Sequence, residues 1–237
     1  MQNFLVRKEM DMDHETEKIT LALVGGTGKE GQGLAYRWVR AGHRVIIGSR
    51  KIEKAQRVVE SLGEMLEEPD KLLGMENRQA IEACDIAVIC VPYAAHRPTL
   101  EDLKDALQGK IVIDVVVPIV PPKVSRVQMP PEGSVAQEAQ AILGDDCQVV
   151  NAFQNVSHER LMQEGDVACD VLVCGRGRDA REVVLGLVAD AGLQGWDAGP
   201  IENAVVVEGL TSVLIGLNIQ HKVHNAGIRI TGLPRRD

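Results

Sequence analysis

No two cysteines in this chain stand at C-x-x-C spacing. None of the five, Cys84, Cys90, Cys147, Cys169 and Cys174, has a histidine beside it at the spacing of a zinc module. They read as reduced, mostly buried thiols of a cytoplasmic protein. Positive charge is also scarce: 26 Lys and Arg against 34 Asp and Glu give a formal net charge of −8. Phosphate-backbone affinity needs clustered cations, so a general nucleic-acid binder is excluded and any anion site must be local. The opening residues 1–18 carry several acids and no long apolar core, which excludes a signal peptide or membrane anchor and leaves a short N-terminal extension. The most apolar stretch, Ala204 to Ile219, is about 16 residues long, short of the roughly 20 that cross a bilayer. Being apolar nearly all round, it is expected to be a helix buried against the rest of the domain or against a second subunit.

Catalytic signatures are missing as well. There is no G-x-S-x-G nucleophile turn, no H-E-x-x-H and no carboxylate cluster suited to a metal. His96 and His158 are conceivable proton carriers, but neither sits in a recognised catalytic pattern.

What is present is a chain of 237 residues, 45% hydrophobic, enough for one substantial core. Strand-length apolar runs alternate with segments of helical period, which predicts an α/β fold: a Rossmann-type, doubly wound, mostly parallel sheet with a small C-terminal helical part. Strands are expected at residues 19–24, 44–47, 86–91, 111–115, 148–152, 171–174 and 195–197. Helices are expected at 31–41, 51–62, 77–83, 99–106, 134–143 and 179–191. Residues 19–198 then form the dinucleotide-binding domain and residues 199–237 the C-terminal region.

The segment LALVGGTGKEGQGLAYRWVRAGHRVIIGSR carries the chemistry. It puts Gly26, Gly28 and Gly31 in G-x-G-x-x-G register between a strand and a helix. The expected roles are a tight turn, close backbone approach to a pyrophosphate, and close packing of the helix on the sheet. An NAD site would place an acid at the end of the second strand to bind the ribose 2′-OH. Here that strand ends in Ser49-Arg50, with Lys54 four residues on, a hydroxyl and two cations suited to a 2′-phosphate. NADP(H) is therefore the expected dinucleotide. In such a sheet the second ligand sits beyond the carboxyl ends of the strands, where the candidates are Val91-Pro92-Tyr93, Val117-Pro118 and the run from Phe153 to His158. The lack of an acid-base pair there suits direct hydride transfer between two cofactors, which needs positioning and desolvation more than a proton donor.

Taken together, VGGTGKEG, GSRKIEKA, ACDIAVICVPY, GSVAQEAQAIL, VVNAFQNVS and DAGPIENAVVVEGLT resemble the F420-dependent NADP reductases, from Ile19 to the C-terminus. The resemblance implies a cytoplasmic enzyme, commonly a homodimer, that moves a hydride reversibly between NADP(H) and the deazaflavin coenzyme F420. It implies no membrane or nucleic-acid partner and no catalytic side chain. Carried over, Thr27, Gly28, Lys29 and Glu30 lie along the pyrophosphate, and Ser49, Arg50 and Lys54 hold the 2′-phosphate. Val91, Pro92, Val117, Gln154, Asn155, Val156, Ser157 and His158 line the ring cleft. Gln154 stands where some members carry a histidine. Three alternatives stay open: another NADP-dependent reductase, of a small imine or hydroxy acid; ferric-reductase chemistry with a membrane partner; and a non-catalytic NADP(H) sensor.

Overall fold

A computed structural model describes residues 18–235. The expected N-terminal extension thus lies, apart from Lys18, outside the described residues. One sheet of eight strands organises the chain, in the order β3-β2-β1-β4-β5-β6-β7-β8. The strands are β1 (Thr20–Val24), β2 (Arg44–Ser49), β3 (Leu72–Glu76), β4 (Ile86–Ile89), β5 (Ile111–Asp114), β6 (Gln148–Asn151), β7 (Asp170–Gly175) and β8 (Gln194–Gly199). All neighbouring pairs are parallel except β6 with β7. The first six strands have the order of a doubly wound dinucleotide fold, with β1 and β4 flanking the switch point where ligands bind.

The uniform apolarity of the strands follows from burial on both faces. Along β1, Leu21 and Leu23 face one core while Ala22 and Val24 face the other. The first core is completed by α1 (Lys29–Arg40), α2 (Ile52–Gly63) and α7 (Arg178–Asp190), with Leu34, Trp38, Leu62 and Val184. The second is completed by α3 (Asn77–Glu82), α4 (Tyr93–Leu107), α5 (Val135–Leu143) and α8 (Ala204–His221). A four-residue helix, α6 (His158–Leu161), lies beside α1, where Arg37 donates to the main-chain oxygens of Arg160, Leu161, Gln163 and Gly165.

Three expectations change. Strand β3 is absent from the predicted elements; it is an edge strand with one sheet neighbour, and its middle residues are half-buried. Helix α4 begins at Tyr93, six residues before the predicted Thr99, and carries Pro98 within it. Proline removes a helical hydrogen bond, but burial of His96, Leu100, Leu103 and Leu107 holds the helix through it.

The third change concerns α8. It has 18 residues rather than about 16, and with the 3-10 turn before it Ile201–His221 is long and apolar enough, by length and composition, to cross a membrane. It is also covered on one face only. Ala204, Val207, Gly209, Ser212 and Leu214 are buried, whereas Val206 and Ile219 are 67% and 64% exposed. On the buried face Glu208 accepts from the main-chain N–H of Val135 (2.8 Å) and Ala136 (3.1 Å) and from Asn151 Nδ2 (3.0 Å). A carboxyl at the positive end of α5 is well placed for the helix dipole. Burial nevertheless pushes its pKa up to about 8 against those bonds.

Candidate functional site

The phosphate turn is built by sterics that the sequence register only partly predicts. The tight turn is made at Gly25, not Gly26: Gly25 has φ +72°, and Gly26 N–H closes the turn onto Leu23 O at 2.9 Å. Asn77, at the start of α3, fixes it by accepting the Gly25 N–H at 3.2 Å. Gly26 is needed for space, since a Cβ there would lie 2.6 Å from the Leu23 side chain. Gly31 has the expected packing role, because its Cβ would meet the Gly26 backbone at 2.7 Å. Gly28 is open, with no described residue within 4 Å of its Cβ position, as close approach of a diphosphate requires. It caps α1, whose first N–H groups and dipole face that space. Thr27 is half-buried there, and Lys29 is exposed.

A cavity of about 460 Å³ runs from this turn to the end of β2, lined by Thr27, Ser49, Arg50, Lys51, Lys54 and Asn77. Ser49 is buried, and its hydroxyl accepts the Lys51 N–H at 3.2 Å, so the start of α2 folds back over it. Arg50 and Lys54 are exposed on the same rim, and Lys51 joins them. Among the described residues no acid lines this cavity.

A second cavity of about 400 Å³ adjoins it, and the two share Val91 and Pro92. Its walls are mostly apolar, with Val115, Val116, Val117, Ile119, Phe153 and Val156. Phe153 has φ 74°, a costly conformation for a bulky residue, and its ring is fixed edge-on against Trp38 at 5.6 Å. Gln154 Nε2 donates to Asp114 O at 2.6 Å, and its own main-chain oxygen accepts from Thr211 of α8 at 2.9 Å. Its Oε1 is buried with no partner among the described residues.

Glu30 lines this second cavity rather than the phosphate space beside Lys29. Its Oε1 is buried and unpartnered, and burial raises its pKa to about 8. The remaining candidates divide. Gln154 and Val156 reach the second cavity; Asn155, Ser157 and His158 face a smaller space of about 250 Å³ against α8, which Gln154 and Val156 also border. Asn155 Nδ2 donates to Asp170 O at 2.7 Å, a bond that ties this segment to β7. His96 is fully buried behind the wall, bonded to Asp114.

The residues fit two ring-bearing ligands laid end to end. The first cavity offers glycine backbone, the hydroxyls of Thr27, Ser49 and Thr99 and three cations, which suits a phosphorylated dinucleotide. The second offers an apolar slot with two unpartnered polar oxygens, which suits a flat polar heterocycle. Sequence reasoning missed Asn77, Thr211 and Cys90, whereas Phe153 lines the cavity as expected. Asn77 follows the unpredicted strand, and Thr211 arrives from a helix more than fifty residues away, so neither had a local signal.

A family model described as NADP oxidoreductase, coenzyme F420-dependent, matches residues 20–118. The F420-dependent NADP reductase of Methanocaldococcus jannaschii is 39% identical over 221 residues, which cover 90% of this chain and 98% of that one. The F420-dependent NADP reductase of Methanothermobacter marburgensis is 40% identical over 221 residues, with coverages of 90% and 99%. Among solved structures, one from Arthrobacter sp. FB24 superposes with a TM-score of 0.76 at 23% identity, covering 90% of this chain and 99% of that one, a likeness of fold.

Proposed function

This chain belongs to the F420-dependent NADP reductase family, and from that membership we infer that it transfers a hydride between NADP(H) and coenzyme F420. The two co-substrates supply the redox chemistry, the hydride passing between the nicotinamide C4 and the deazaflavin C5. The chain contributes binding, alignment and exclusion of water. The observation that carries this assignment is the pair of abutting cavities joined at Val91-Pro92, one cationic and one apolar.

In this scheme Thr27, Gly28 and Lys29 bind the diphosphate through the start of α1, and Ser49, Arg50 and Lys54 hold the 2′-phosphate, with Lys51 and Asn77 added to the set. Val91 and Pro92 sit where the two rings meet. Val117, Phe153 and Val156 exclude water from the reacting faces, which strengthens the remaining electrostatics. Gln154, held at its amide nitrogen by Asp114 and at its main-chain oxygen by Thr211, presents Oε1 as a fixed acceptor for a ring N–H or carboxamide. A glutamine therefore serves where some relatives have histidine.

Two further attributes belong to the same proposal. The exposed apolar face of α8, with Val206 and Ile219, is the contact surface of a homodimer in this reading. The protein works in the cytoplasm; five free cysteines support a reducing compartment. The decisive experiment mixes the purified protein with NADPH and oxidised F420 and follows the F420 absorbance. Sound protein that binds NADPH yet leaves F420 oxidised overturns the assignment.

A further inference from the structure

We propose that Glu30 is the proton carrier of the reaction, donating to the deazaflavin during its reduction and taking the proton back in the reverse direction. The proposal rests on the hydride-transfer assignment and adds to it a side chain with a chemical task.

The stoichiometry leaves one proton to be supplied, and a side chain in a cavity that excludes water can supply it. Reduction of F420 by NADPH delivers two electrons and one hydrogen as hydride to C5, and a separate proton must reach N1 of the ring. In the forward direction the Glu30 O–H bond breaks as the N1–H bond forms, leaving a carboxylate that regains its proton from solvent once the products depart. In reverse the carboxylate accepts that proton. No further oxidant or reductant is involved.

The geometry selects Glu30 from the groups around the cavity. Three ionisable side chains line it among the described residues: Glu30, Cys90 and Tyr93. Burial, with the charges of Glu30 and Asp114, pushes the Cys90 thiol well above its ordinary value. Burial and then Glu138, Glu132 and Glu208 push the Tyr93 phenol up as well, with Arg97 opposing. Neither releases a proton readily near neutrality. Behind the wall, His96 is fully buried and engaged with Asp114, and His158 lines the neighbouring space. Glu30 remains, with a buried, unpartnered oxygen and a titration near 8 that keeps much of it protonated yet exchangeable at neutral pH. A neutral carboxyl also removes an objection to an acid in the first turn of the phosphate-binding helix, since it does not repel the diphosphate.

The test compares the wild type with Glu30→Gln and Glu30→Asp. In the protein without cofactors, carboxyl NMR should show two glutamate resonances with midpoints near 8, those of Glu30 and Glu208, and Glu30→Gln should lose one of them. In single-turnover reduction of F420 by saturating NADPH, the wild-type rate should fall as pH rises through that midpoint. Glu30→Gln should be slower by roughly 10²-fold and lose the dependence, the size of a general-acid contribution. Glu30→Asp should recover part of the rate with a shifted profile. Calorimetry should show NADPH affinity within about threefold of wild type in both variants, since a uniform binding role predicts a larger loss. A Glu30→Gln enzyme with the wild-type rate and pH profile overturns the proposal. So does one that loses NADPH affinity but transfers normally at saturation, because Glu30 would then be a phosphate-side residue. A wild type that binds NADPH without reducing F420 overturns the hydride-transfer assignment and this proposal with it.

Discussion

His96 Nε2 and Asp114 Oδ2 lie 2.7 Å apart, and neither side chain is accessible to solvent. The other Asp114 oxygen accepts the Val116 N–H at 3.0 Å, and its main-chain oxygen holds the Gln154 amide. The pair thus braces the wall of the ring cavity from behind.

Burial opposes charging of His96, but the Asp114 carboxylate and its hydrogen bond, with Glu138 and Glu208, outweigh it and leave the pKa raised. The folded state therefore keeps a proton that the unfolded chain releases at the ordinary value of about 6.5. Its stabilising contribution is complete below that value and is lost as pH rises through the higher folded pKa. Glu208 and Glu30, both raised to about 8, act with the same sign, so the His96 share must be read by difference. Urea midpoints should fall more steeply with pH, above about 6.5, in the wild type than in His96→Gln. Parallel curves would sink the idea.

Arg50→Ala should weaken NADPH binding by roughly 10- to 100-fold, the worth of a charge-assisted contact, while NADH binding changes little. Calorimetric titration with both dinucleotides checks this. An unchanged NADPH/NADH preference removes Arg50 from the 2′-phosphate site.

Two glycine substitutions should separate folding from binding. Gly31→Ala drives a Cβ to within 2.7 Å of the Gly26 backbone, which cannot swing aside, and should cost about 1–3 kcal/mol of stability. Gly28→Ala meets open space at φ −76° and should fold normally, yet lose NADPH affinity because the methyl occupies the approach of the diphosphate. Thermal melts with and without NADPH report both effects. Equal melting temperatures for Gly31→Ala and wild type would contradict the packing role.

Val206→Asp places a charge in the most exposed part of the apolar α8 face without touching its buried side. Sedimentation should show a shift from dimer to monomer with little change in far-UV circular dichroism. A variant that sediments as the wild type does removes this face from the interface.

The parts legible from the sequence share one property: their determinants are close along the chain. Runs such as LALV and RVII need only their own residues to announce strands covered on both faces. The phosphate turn and the Ser49-Arg50-Lys54 set sit within about thirty residues of one another, so glycine spacing and the missing acid are visible before any folding. Strand β3 was hidden because an edge strand with Gly74 and Glu76 lacks an apolar signature. The early start of α4 was hidden because Pro98 and the Pro92 before the helix imitate a boundary.

The ring cavity obeys a different logic. Glu30 comes from the first turn of α1, Cys90 from the end of β4, Val115 from beyond β5, Gln154 from beyond β6 and Thr211 from α8. The parallel stacking of β1, β4, β5 and β6 brings the first four to the carboxyl ends of the strands, and α8 packs Thr211 against Gln154. In the sequence Glu30 is one more residue of a phosphate turn; burial in a cavity that distant residues such as Cys90 and Phe153 also line gives its carboxyl another character. Local sequence determined that this protein binds a phosphorylated dinucleotide, because sterics and charge at the turn act over a few residues. Tertiary structure decided which side chains line the second cavity and which carboxyl among them is raised by burial, because burial is a property of the assembled sheet.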